Sequence, residues 1–210
     1  MKANYIIAAI LALILILFGI GAYAYNSYEK NKISKNADSL LIRDHSYISG
    51  SASADITVVE FFDPMCAACV RISPTIAKLP EKYNGRVRVV YRALAFHKDS
   101  DIVLSLLEAA KEQGKFEETM AAFNVYYRNW YANNQLNTFV AWGVLEQIGV
   151  DTKRAKVFLD ENQAAIDERL NQNFEDAQQL GITATPTFFI NKKMINHNDI
   201  TKEIEALLTQ

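Results

Sequence analysis

The stretch from Ile56 to Cys69 constrains this chain more than any other. Ile56-Thr57-Val58-Val59-Glu60-Phe61-Phe62 is a β-branched and aromatic run with one charged residue in it. Near-continuous apolar character of this length suits a strand covered on both faces, as in the centre of a parallel sheet. Asp63-Pro64-Met65 breaks the strand, and Cys66-Ala67-Ala68-Cys69 follows at the predicted start of a helix reaching about Tyr83, where Asn84-Gly85 is a stop signal. Arg86–Arg92 reads as a second strand. A strand–helix–strand unit with paired thiols where strand gives way to helix leaves few possible architectures.

Farther along, residues 101–180 turn helical. Segments near 101–113, 115–127, 136–148, 152–160 and 163–180 carry apolar residues at three- and four-residue spacing, with Gly114, Gly149 and Gly181 as punctuation. Thr187–Ile190 is a third strand, Asn191-Lys192 a turn, Lys193–Ile195 a returning strand, and Asp199 a cap for a last helix over Ile200–Leu208. The order is β-α-β, a helical block, then β-β-α. At 210 residues without internal repeats, this is one domain with extra elements. The expected boundaries are 1–25, 26–50 as a polar linker, and 51–210 as the domain, with the helical insertion at about 100–180.

The first segment is almost unbroken apolar sequence from Tyr5 to Tyr25 without a charge. It matches the ~20 residues a helix needs to cross a bilayer core, and Tyr5, Tyr23 and Tyr25 stand where an aromatic belt would. A membrane anchor in the lipid bilayer is the expectation. The competing reading is a cleaved signal peptide, with Ala22-Tyr23-Ala24 as the small-x-small site after Lys2. Both export the rest: the first predicts a single-pass protein of the cytoplasmic (inner) membrane with its domain in the periplasm or extracytoplasmic space, the second a soluble periplasmic protein. Lys30, Lys32 and Lys35 run against this orientation by the positive-inside rule, so the redox chemistry decides it.

That chemistry rests on the two cysteines, the only ones in the chain. Two thiols do not make a disulfide scaffold. Structural zinc needs four ligands, and His45, His97 and His197 are scattered, so no metal and no cofactor is expected. With 22 basic and 24 acidic side chains and no basic stripe, nucleic acid is not a partner. In a Cys-x-x-Cys at a helix start the sulfurs lie one turn apart on one face, close enough to cycle between dithiol and disulfide. Unpaired N–H groups and the helix dipole favour a thiolate on the first, so Cys66 is the nucleophile and Cys69 the more buried resolving thiol.

Two motifs and the block between them resemble the DsbA-like branch of the thioredoxin superfamily. One is Val59-Glu60-Phe61-Phe62-Asp63-Pro64-Met65-Cys66-Ala67-Ala68-Cys69; the other is Gly181-Ile182-Thr183-Ala184-Thr185-Pro186-Thr187-Phe188-Phe189-Ile190. Pro74 stands at the helix-kink position of many thioredoxins. The resemblance runs from about Ile48 to the C-terminus and implies a thioredoxin-like α/β fold with the helical insertion between its βαβ and ββα units. It implies that Thr185–Pro186 is cis, beside Cys66, with a strand edge that pairs with an extended substrate. It makes Glu60, which shares a strand face with Val58 and Phe62, the buried carboxylate that takes a proton from Cys69; the alternative is a solvated acid on an edge strand.

The chain departs from the best-known oxidases at Ala68, where they carry a histidine, and at Thr185, where some carry valine. A charged Asp63 would oppose a thiolate. Met65 is a candidate apolar contact for unfolded chains, His97 reads as a solvated loop residue, and Tyr126, Tyr127, Trp130 and Tyr131 as helix packing or a partner surface. The function implied is an extracytoplasmic thiol–disulfide oxidoreductase acting on protein cysteines, as an oxidase reoxidised by a quinone-using membrane partner of the DsbB type. The alternatives are a reductase or isomerase fed by a reductant donor, and a non-enzymatic binding module or Cu(I) carrier. No dimerisation stalk is evident, so a monomer is expected.

Overall fold

The computed structural model describes residues 16–21 and 39–209. The chain divides into two compact units, residues 1–39 and 40–210. In the first, residues 16–21 are helical; the rest of the expected span at 5–25 lies outside the described residues. Among the described residues, no helix is long and apolar enough to cross a membrane.

The second unit is built on a five-stranded sheet. Its strands are β1 (Tyr47–Ser49), β2 (Ile56–Phe62), β3 (Val87–Ala93), β6 (Thr187–Ile190) and β7 (Lys193–Ile195), in the order β1-β3-β2-β6-β7. β2 is central, as its apolar run requires. It pairs parallel with β3, Glu60 opposite Tyr91, and antiparallel with β6, Glu60 opposite Phe188. Only Thr57 of β2 escapes full burial.

Helix α1 (Ala67–Ala77) follows β2, and a short α2 (Leu79–Lys82) leads into β3. The single helix expected up to Tyr83 is therefore broken at Lys78. Pro80 is the cause: it has no N–H for the carbonyl of Ile76, and its ring crowds that carbonyl. Pro74 is tolerated inside α1.

The insertion holds α3 (Ser100–Glu112), α4 (Phe116–Val125), α5 (Tyr127–Trp130), a small hairpin of β4 (Tyr131–Ala132) with β5 (Gln135–Leu136), α6 (Thr138–Gln147) and α7 (Thr152–Gln179). The two segments expected at 152–160 and 163–180 are one helix. Asp151 caps it through the N–H groups of Lys153 and Arg154, and neither glycine nor proline interrupts it. The hairpin was not expected; Asn133 and Asn134 both take positive φ, the backbone of a tight two-residue turn.

One face of the sheet, with Val58, Phe62, Val89 and Tyr91, packs on α1, α3 and α4 in the main core. Phe61, Val90 and Phe189 are buried outside that cluster, and Arg92, on the same strand side as Val90, has its guanidinium over the Phe61 ring. Each such fully buried large apolar side chain contributes roughly 1.5–3 kcal/mol.

The linker expected to end at residue 50 ends earlier. Tyr47–Ser49 forms β1, antiparallel to β3, and Tyr47 stacks on Phe116 with ring centroids 4.0 Å apart. Gly50 then turns the chain at φ +100°, where an added Cβ would come within 3.0 Å of the Val87 carbonyl oxygen.

Candidate active site: a dithiol at a helix start

Cys66 is the N-cap of α1, with φ −76° and ψ 113°. Its own N–H donates to the Asp63 carbonyl at 3.0 Å, and its carbonyl accepts from Val70 at 3.0 Å. The first turn of α1 has no acidic residue. The open N–H groups there face the Cys66 sulfur without competition from a carboxylate. Both thiols are free, with Cys66 9% exposed and Cys69 4%.

The Thr185–Pro186 bond is cis. Thr185 presents its carbonyl oxygen 3.1 Å from the Cys66 sulfur. That oxygen accepts from a thiol and gives a thiolate nothing. The thiolate is nevertheless favoured, and the Cys66 pKa falls to about 5. The largest cause is the hydrogen bond from the Cys69 thiol, followed, against the cost of burial, by the Cys69 N–H, the Thr185 side chain and the Ala68 N–H. Ala68 thus contributes through its backbone what its side chain cannot. Cys69 moves the other way, held protonated first by its hydrogen bond to Cys66 and then by burial. The two sulfurs are polarised into a nucleophile and a proton-bearing partner.

Glu60 is 1% exposed, so the edge-strand alternative does not hold. Among the described residues its Oε2 has no hydrogen-bond partner, and its pKa rises to about 8, through burial first and the Cys66 charge second. With Cys69, Ser73 and Asn124 it lines a cavity of about 10 Å³ beneath the thiols. A carboxyl that titrates close to neutral pH, beside a buried thiol, is equipped to exchange a proton with it.

Other candidates are placed differently from expectation. Met65 is 1% exposed and lies in the core, so its side chain is not a contact surface for unfolded chains. Its carbonyl instead accepts from Tyr127 Oη at 2.7 Å, which braces the residue before Cys66. Trp130 is buried, with Nε1 donating to the Phe123 carbonyl, so this part of the aromatic cluster is packing. β6 is flanked by β2 and β7, and β7 reaches back only to Phe188. On its β7 side, the backbone before Phe188, around Thr185 and Pro186, is therefore left outside the sheet pairing.

Asp63 is the residue whose role the sequence did not reveal. It is fully buried, and its Oδ1 accepts from the Met65 N–H and Ser100 Oγ. Its Oδ2 accepts from the N–H groups of Phe96 and His97 and lies 2.9 Å from His97 Nδ1. The carboxylate is spent holding the loop before α3 against the cysteine turn, and His97 is tied to it rather than simply solvated.

The central parallel pair, the antiparallel β6–β7, the helical block and the dithiol opposite a cis proline define a class. It is that of thioredoxin-fold proteins with a pair of thiols at a helix start. The thioredoxin family model matches residues 43–210, and the chain belongs to that family. Among solved structures it is similar to α-DsbA2, a thiol-disulfide exchange protein from Wolbachia pipientis, at 20% identity and TM-score 0.71, covering 88% of this chain and 98% of that one. It is also similar to BdbD from Bacillus subtilis, at 20% identity and TM-score 0.62, covering 79% and 94%. A probable disulfide bond formation protein D from Bacillus cereus is 28% identical over 208 residues, 93% of each chain. An Na(+)/H(+) antiporter NhaA from Herminiimonas arsenicoxydans is 26% identical over 162 residues, 77% of this chain. The chain spans about a quarter (25%) of that antiporter's length.

Proposed function

We propose that this chain exchanges a Cys66–Cys69 disulfide with cysteine pairs of protein substrates outside the cytoplasm, and that it works as an oxidase. The observation that carries the direction is the placing of Cys66 as the cap of α1, where its sulfur takes the Cys69 thiol's hydrogen bond and the N–H groups of Ala68 and Cys69, which lowers its pKa although neither residue between the cysteines has a polar side chain. A thiolate exists only in the reduced form. Whatever stabilises it stabilises the dithiol and makes the disulfide the stronger oxidant, by ~30 mV for each ~1.4 kcal/mol.

In the first step a substrate thiolate attacks the Cys66 sulfur. The Cys66–Cys69 bond breaks, and Cys69 leaves with the electron pair, taking a proton from the Glu60 carboxyl. In the second step the substrate's other thiolate attacks the substrate sulfur of the mixed disulfide and releases Cys66 as a stable thiolate. Two electrons pass from substrate to protein. A quinone-linked membrane partner of the DsbB type restores the disulfide. Thr185 and Pro186 dock the extended substrate beside the sulfur. Residues 5–25 anchor the chain in the membrane, with cleavage as the alternative, and the domain acts as a monomer.

Equilibration against glutathione measures the reduction potential. The expected value lies above thioredoxin's ~−270 mV, toward the ~−120 mV of a strong oxidant. A value at or below ~−270 mV reassigns the protein as a reductase, and no exchange at all removes the proposal. Alkylation trapping in cells provides a second reading: a mostly oxidised pair supports the oxidase, a mostly reduced pair the reductase or isomerase.

A further inference from the structure

A groove of about 280 Å³ runs from the active site along the outer face of α1, and its charge is one-sided. It is lined by Ala68, Arg71, Ile72, Thr75, Pro186 and His197. Ala68 and Pro186 place one end at the reactive turn and the docking proline. Arg71 is exposed and is the one charged residue of α1. Among the described residues no carboxylate pairs with it, although most other arginines of the domain are engaged: Arg43 and Arg92 with Asp176, Arg86 with Asp55, Arg154 with Glu112. No acidic side chain lines the groove, and His197 adds a ring that can donate a hydrogen bond.

We propose that Arg71 is a specificity-determining residue, selecting substrate segments that carry an acidic side chain two or three residues from the target cysteine. This rests on the disulfide-exchange reading above. The spacing follows from geometry. Arg71 lies five residues beyond Cys66, which is ~7–8 Å along α1 and about 140° around it, and the long guanidinium side chain spans the offset around the helix. An extended segment advances ~3.3 Å per residue, so two to three residues cover that distance. A guanidinium fork binds a carboxylate through two parallel N–H bonds, and an ammonium group in the same position is repelled.

The test uses the full-length oxidised chain in detergent and single-cysteine peptides. Glu or Lys is placed two or three residues to either side of the cysteine. The peptide thiolate attacks Cys66, the Cys66–Cys69 bond opens, Cys69 is protonated, and the mixed disulfide is counted by mass. Each rate is divided by the same peptide's rate with bis(2-hydroxyethyl) disulfide, which cancels differences in peptide thiol acidity. The expected Glu-to-Lys ratio is about three- to fivefold, the size of one exposed ion pair, and it shrinks toward one in 1 M salt. Arg71→Gln brings the ratio to about one, and Arg71→Glu inverts it. A wild-type ratio of one, or a ratio that survives Arg71→Glu, overturns the inference. If neither peptide reacts with Cys66, the disulfide-exchange reading itself fails.

Discussion

Cys66 and Glu60 titrate in opposite senses from their ordinary values, and each makes a measurable claim. With its thiol near 5, Cys66 is almost wholly thiolate at pH 7. Its alkylation by iodoacetamide should therefore rise between about pH 4 and 6 and be flat above, where an ordinary thiol of pKa ~8.5 still climbs. Cys69→Ala removes the largest stabilising hydrogen bond, so the midpoint should move upward by a pH unit or more; an unmoved midpoint would assign the thiolate to the helix start alone. Glu60 acts on stability. Its carboxyl pKa is raised from 4.5 to about 8 by burial, so the folded protein holds a proton that the unfolded chain releases. The Glu60 contribution to stability is then greatest below pH 4.5, falls as pH rises between 4.5 and 8, and by about 8 has largely gone, a loss of several kcal/mol; the depressed Cys66 thiol works in the opposite sense over about pH 5 to 8.5, and it cancels when two proteins that both carry it are compared. Glu60→Gln should flatten this decline, leaving the variant more stable than wild type relative to their difference at pH 4. Urea midpoints across pH 4–9 read it, and parallel curves for the two proteins would show that Glu60 does not titrate in the fold.

Two elements meet in a buried ion pair on the side of the sheet away from the thiols. Arg92 of β3 is 0% exposed. Its guanidinium donates to Asp176 Oδ2 at 2.6 Å, to Asn173 Oδ1 at 2.8 Å and to the Leu40 carbonyl at 2.5 Å. Asp176 of α7 also receives a two-pronged contact from Arg43, at 2.8 and 2.6 Å. Breaking a buried pair from one side strands the other charge, whereas replacing both partners by apolar groups is often near neutral. Asp176→Ala should cost about 3–5 kcal/mol, and the double change Arg92→Met with Asp176→Leu should cost less than the single one; urea unfolding ranks them, and a costlier double variant would contradict the argument. None of this could be read from the sequence, because Arg92 and Asp176 lie 84 residues apart and each looks like an ordinary charged residue of its element. Asp63 was opaque for the same reason, its partners Phe96, His97 and Ser100 being 33 to 37 residues on. What could be read was local. β2 announced itself by its apolar run, the helix start by the residues that break the strand, and β6–β7 by Asn191-Lys192. The break at Lys78 and the hairpin at Asn133-Asn134 also had local signals, a proline and paired asparagines, that periodicity alone passes over.

At the scale of the whole domain, the decisive question is where it begins. Composition places the start near residue 51, because Asn26–Gly50 is polar and without period. The structure ties residues 40–50 down at several points. Leu40 and Leu41 are buried, the Leu40 carbonyl serves Arg92, Arg43 clasps Asp176, Lys111 Nζ donates to the His45 carbonyl at 2.7 Å, and β1 covers the outer edge of β3. Without this segment Arg92 and Asp176 lose partners inside the protein, and β3 shows a bare edge open to pairing with another chain. Burial of two leucines alone is worth roughly 3–6 kcal/mol, against a total of about 5–15 kcal/mol for a domain. A chain of residues 39–210 should therefore unfold in one cooperative transition and keep its Cys66 titration near 5, whereas residues 51–210 should lose cooperativity, bind a hydrophobic dye and tend to associate. Equal urea midpoints for the two would mean that β1 and the Arg43–Asp176 clasp are decoration on a domain complete without them. The thiols would then react alike in both chains, since among the described residues no hydrogen bond or ion pair joins 40–50 to Cys66; a folded but weakened 51–210 with an unchanged Cys66 midpoint would separate what holds this domain together from what makes its sulfur reactive.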